Sequence, residues 1–97
     1  MPDTSLKWII KEIENGLHDA GLNHLKVTTR GENIVIFSEY NGKKENRCRF
    51  THMSERKYLL GIADHNGRWE TTPFEGTIDE LLEMVINQFG WVLYNYD

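Results

Sequence analysis

The chain has a single cysteine, Cys48, in 97 residues, so no internal disulfide forms and a reducing compartment suits it. Two prolines are present, and no stretch has the composition of a linker, a low-complexity tract or a repeat. Nothing divides residues 1–97, and a single domain is expected. Long hydrophobic runs are missing as well. The longest, residues 34–37 and 91–94, hold four apolar residues each, far fewer than the roughly 20 needed to span a membrane. Asp3, Lys7, Lys11, Glu12 and Glu14 interrupt the apolar residues near the start, so no secretory signal is expected. The cytoplasm is the expected location, with no membrane partner.

Catalytic signatures are absent. There is no phosphate loop, GxGxxG, GxSxG or HExxH. Cys48 and His52 would share a strand face, but four residues of strand separate them by roughly 13 Å, too far for a nucleophile to reach its base. A small buried thiol and a histidine at a strand end is the plainer expectation. His18, His24, His52, Asp64 and His65 offer metal donors without the close-spaced pairs or second cysteine of a structural zinc site. No catalytic residue, metal or cofactor is expected, and an enzyme ranks last among the functions considered.

What is present defines an architecture. Leu6, Ile9, Ile10, Ile13, Leu17 and Ala20 recur at helical spacing within a stripe about 100° wide. They predict a helix over 6–20, ended by Gly21. Strands are predicted over 25–29, 34–40, 47–53, 57–64 and 68–72, with Pro73 breaking the last. In the second strand Ile34 and Ile36 face one way and Val35 and Phe37 the other, the pattern of a central strand covered on both faces. Asn41-Gly42 signals a hairpin, but its register is open. A two-residue loop sets Val35 against Cys48 and Phe37 against Asn46, whereas a longer loop sets Ile36 against Phe50, the better apolar match. Thr77 and Glu80 form a capping box for a second helix over 78–89. The expected fold is α+β in two layers, an antiparallel meander of four to six strands with both helices on one face. Phe50, Ile62, Leu82 and Val85 are its predicted core, and an aromatic tail follows.

Charge is unevenly spread. Residues 43–57 carry Lys43, Lys44, Arg47, Arg49, Arg56 and Lys57 against Glu45 and Glu55, while the chain as a whole has a net charge of −4. No Lys or Arg follows Arg68, and six acids stand alone there. Such asymmetry bears on partners rather than on fold. Arg47 and Arg49 are expected to project from one sheet face, with Lys43 and Lys44 at one turn and Arg56 and Lys57 at the next. That strip suits phosphates. The aromatics that single-strand binders interleave with their cations are not evident beside it, and a solvated face balancing acids elsewhere is the plainer expectation.

Trp8 lies about 160° from the apolar stripe of its helix, among Lys11, Glu12 and Asn15. A tryptophan there marks either an interface or a site covered by the N-terminal arm. In the tail, Trp91, Tyr94 and Tyr96 either dock on the domain or recruit another chain. Two functions follow as expectations. The first is a non-enzymatic protein-interaction module (adaptor, inhibitor or chaperone-like factor) binding another protein or itself through Trp8, Trp91, Tyr94 and Tyr96. The second is a nucleic-acid-binding domain using the basic segment.

Overall fold

The computed structural model describes residues 4–64 and 66–88. In chain order the elements are α1 (Thr4–Asp19), β1 (Leu25–Arg30), β2 (Asn33–Tyr40), β3 (Lys43–Ser54), β4 (Lys57–Ala63), β5 (Trp69–Gly76) and α2 (Ile78–Gln88). The five strands form one antiparallel meander in the order β1-β2-β3-β4-β5, and both helices pack on one face of it, as the sequence predicts. Phe89 and the aromatic tail residues Trp91, Tyr94 and Tyr96 lie outside the described residues.

The helix stripe works as its spacing implies except at Ala20, which is exposed in the turn just past the end of α1. Ile13 and Leu17 are fully buried, and Ile9 packs beside them. The helix closes in a Schellman motif: Leu22 N–H donates to Leu17 O (2.8 Å) and Gly21 N–H to His18 O (2.9 Å). The same turn carries Leu22 into the core, where it joins Leu17. Helix α2 opens on the predicted box. Thr77 N–H donates to Glu80 Oε1 (2.9 Å), and Glu80 N–H donates back to Thr77 Oγ1 (3.2 Å). Its buried stripe is Ile78, Leu81, Leu82 and Val85. Of the predicted core, Phe50, Leu82 and Val85 are buried, while Ile62 is half-buried against the cluster.

The β2–β3 hairpin follows neither expected register in full: Phe37 faces Asn46, but Val35 faces Arg49 rather than Cys48, and Ile36 faces Cys48 rather than Phe50. Asn41 (φ 53°) and Gly42 (φ 77°) make the two-residue turn with both central residues left-handed. Tyr40 faces Lys43, and Phe37 faces Asn46. Beyond Phe37 the register shifts: Ile36 faces Cys48 and Ile34 faces Phe50, leaving Arg47 as the extra residue of a bulge. Turn chemistry governs the near half and apolar matching the far half. Because a one-residue slip exchanges the two faces of a strand, this bulge turns Cys48 and Phe50 into the helix-side core with Ile34 and Ile36. Arg49 goes to the other face with Val35.

Two expectations are corrected. Strand β5 does not end at Pro73 but continues to Gly76. Pro73 sits in a stretch where residues 72–74 lie opposite Leu60 alone, on the strand that forms the sheet edge among the described residues. Thr72 Oγ1 donates to the Leu60 carbonyl (2.8 Å) and accepts from Phe74 N–H (3.2 Å), supporting the chain through the irregularity. Secondly, β2 is not the central strand; β3 is. Val35 and Phe37 point away from both helices. Val35 is nevertheless 4% exposed, between its cross-strand partners Thr28 and Arg49. Long side chains lying over a sheet screen apolar residues without a covering layer, so apolar residues on both sides of β2 do not require two covered faces.

Candidate functional site

The face of the sheet that neither helix covers is built by strand alternation from the register just described. One row crosses all five strands: Thr28, Val35, Arg49, Gly61 and Thr71. Two residues further along each strand, toward the Asn41-Gly42 turn, stand Phe37 on β2 and Trp69 on β5, opposite Asn46 and Ala63. Both rings are half-buried and both carry a cation. Lys44 Nζ lies 4.3 Å from the centre of the Phe37 ring, and the Arg49 guanidinium carbon 4.6 Å from that of Trp69.

The Arg49 arrangement depends on Gly61, its partner on β4. A Cβ at Gly61 would stand 3.1 Å from Arg49 Cγ and 3.2 Å from Nε, so the arginine stem crosses β4 over the bare glycine to reach Trp69 on β5. A guanidinium laid on a ring in this way keeps its N–H groups for an anion. Among the described residues Arg49, Lys44 and Arg30 make no direct ion pair, although Lys44 stands opposite Glu39 and its charge helps to lower that carboxyl.

The electrostatics of the two layers differ in sign. The open face carries Lys26, Arg30, Lys44, Arg49 and Lys57 against Glu39 and Glu75, and both acids are already paired. Glu39 accepts from Lys26 Nζ at 2.9 Å, and Glu75 lies 3.3 Å from Lys57 Nζ. The hydrogen bond from Lys26, with its charge second, holds the Glu39 carboxyl below its usual range. The helices instead hold Glu12, Glu14 and Asp19 on α1 and Asp79, Glu80 and Glu83 on α2, against two lysines on α1. Six of the chain's 15 acids thus belong to the layer that the open face turns away from.

Of the residues singled out in the basic segment, Arg47 is corrected. It does not project beside Arg49 but is 5% exposed on the helix side. Its Nε and Nη2 donate to Ser38 Oγ (3.1 and 2.9 Å), and its Nη2 lies 3.3 Å from Glu45 Oε1. The bulge is the cause, because the extra residue falls out of the alternation that would have paired it with Arg49. Lys43 is exposed beside the Asn41-Gly42 turn, Arg56 is exposed in the β3–β4 turn, and Lys57 is tied to Glu75. The segment therefore splits, and Lys44 and Arg49 are the two of its cations that come together with aromatic rings.

Trp8 is 71% exposed on α1, with Lys11, Glu12 and Asn15 exposed around it. Cys48 and His52 do not meet. Cys48 is fully buried, and burial pushes its thiol up to about 12, so it stays protonated and unreactive. His52 is exposed at the strand end, its ring 5.1 Å from that of Tyr58. Among the described residues no three His, Cys, Asp or Glu side chains gather where they would hold a metal ion. Among them, too, no helix is long and apolar enough to cross a membrane.

Sequence reasoning missed Phe37 and Trp69 as site residues. They lie on different hairpins, and a common face emerges only when the register is followed through the bulge at Arg47. The parity of Phe37 with Val35 was the one available signal. No protein-family model, curated protein or solved structure matches the chain.

Proposed function

We propose that this chain is a non-enzymatic, cytoplasmic binding module whose open sheet face holds a single strand of nucleic acid. The observation that carries the proposal is the pair of cation–ring stacks, Lys44 on Phe37 and Arg49 on Trp69, on a face with five cations and two already-paired carboxylates. Single-strand binders combine cations that track phosphates with aromatic rings that stack on bases. The basic segment alone lacked the rings, and Phe37 and Trp69 supply them. The net charge of −4 is no obstacle, since the acids of α1 and α2 lie on the other layer.

The test is binding of the whole chain to labelled mixed-sequence DNA and RNA single strands, followed as salt is raised. Arg30, Lys44 and Arg49 are the face's cations that make no direct ion pair among the described residues. Three phosphate contacts imply that log K falls with log [salt] at a slope of about −2. Arg49→Ala should weaken binding to every sequence and make that slope shallower. Failure to bind either strand at low salt rejects the proposal.

A second reading has its own observation, the 71% exposure of Trp8. A tryptophan in that position is suited to anchor another protein or a second copy of the chain, as in an adaptor, inhibitor or chaperone-like factor. On that reading Trp8→Ala lowers stability by less than about 1 kcal/mol yet weakens association by at least about that much. Thermal melts and sedimentation of the variant separate the two effects.

A further inference from the structure

We infer that the single strand crosses the sheet from β2 to β5, roughly perpendicular to the strands, with bases stacked at Phe37 and Trp69 and phosphates held by Lys44 and Arg49. This inference rests on the nucleic-acid reading of the same face and specifies how that face is used. Phe37 and Trp69 stand on strands three spacings apart, about 14 Å in the hydrogen-bonding direction. Their cross-strand partners on the strands between, Asn46 and Ala63, are half-buried and shorter than the rings, so two aromatic walls bound a low floor. A span of about 14 Å matches about four steps of roughly 3.4 Å, so about five stacked bases reach from one ring to the other.

The two cations stand on opposite sides of that floor. Arg49 comes from the row on the Gly61 side, and Lys44 comes from the side of the Asn41-Gly42 turn. A strand lying along the floor therefore has a cation on each flank. In the free protein Lys44 and Arg49 occupy the ring faces. An incoming base displaces each from its ring, because base–ring stacking is stronger than an exposed cation–ring contact. The displaced cation keeps its charge beside the strand, where a phosphate is the available anion.

The experiment compares oligodeoxythymidylate with an abasic strand of the same length, which keeps the phosphates and lacks the bases. The wild-type chain is measured beside Phe37→Leu, Trp69→Leu and Trp69→Phe. The leucine variants retain apolar bulk, and a thermal melt of each checks that it folds. The expected result is that the abasic strand binds at least about tenfold more weakly than the thymidylate. Each leucine variant should lose between about fivefold and a hundredfold on thymidylate, the range for one stacked base, and little on the abasic strand. Trp69→Phe should recover most of the loss, and affinity should stop rising once the oligonucleotide passes about five nucleotides. Equal wild-type binding of the two strands, or leucine variants that hold thymidylate as the wild type does, overturns the base-stacking row and leaves an anion-binding face intact. Absence of binding to both strands at low salt overturns the row together with the proposed function.

Discussion

Phe50 and Arg49 are neighbours on β3, yet Phe50 is fully buried beneath the helices while Arg49 lies half-exposed across Gly61 against Trp69. The two faces of this sheet differ in the same way along most of its length. On the helix side Leu25, Ile34, Ile36, Cys48, Phe50 and Leu60 meet Leu17, Leu81 and Val85 in one continuous cluster. On the open side apolar residues occur as isolated members of a charged surface. The first face has the density of a core, where removing a side chain leaves a cavity. The second is organised by cations resting on rings, an arrangement that contributes little stability at an exposed site and keeps charge available. On the proposed function, stability and binding fall on opposite sides of the same five strands.

The largest expected effect tests that division directly. Phe50→Ala should destabilise the protein by about 3–5 kcal/mol through lost burial and a residual cavity. Phe37→Ala should cost less than half as much in the same denaturant titration. Equal losses would mean that the open face is a second core.

Gly16→Ala sharpens the helix side of the comparison. A Cβ there would stand 2.7 Å from Leu82 Cδ2, so α1 and α2 touch through a position with no side chain to spare. Overpacking of about 1–3 kcal/mol should exceed the gain of up to about 1 kcal/mol in helix propensity. The penalty should largely vanish in a Leu82→Ala background, a non-additivity that a double-mutant cycle of melts detects. Thr77→Ala should follow at about 1 kcal/mol, from loss of the reciprocal cap with Glu80. A loss below a few tenths would mean that the box contributes nothing in solution.

The smallest effect belongs to the open face. Glu39 has its carboxyl lowered by Lys26, so their exposed pair favours the folded state at neutral pH. That contribution fades as pH falls through the lowered value, below the ordinary carboxylate range. Melts of Glu39→Gln and wild type should differ slightly at neutral pH and low salt, then converge in acid and at high salt.

How much of this was legible from residues alone depends on whether local signals agreed. The stripe from Ile9 to Leu17, the Thr77–Glu80 box and the Asn41-Gly42 turn each carry their own structural reason, and each formed. The β2–β3 register was illegible because two valid rules conflicted there. The turn demanded Phe37 opposite Asn46, and core matching favoured a shift that a bulge at Arg47 delivered midway. From that one residue follow the burial of Arg47 and the outward placement of Arg49. The shared face of Phe37 and Trp69 depends on it as well. Strand β5 was cut short at Pro73 because a proline was weighed without knowing that its strand is an edge.

On the proposed function, ligand meets the open face and leaves the helix layer alone. The most direct measurement follows the tryptophan indole N–H signals by NMR as a single-stranded oligonucleotide is added to the whole chain, with each signal assigned by substitution. The Trp69 indole signal should shift or broaden in step with binding, while that of Trp8, on α1, stays in place. A response from Trp8 with Trp69 unmoved would contradict the proposed function and place binding on the helix layer instead.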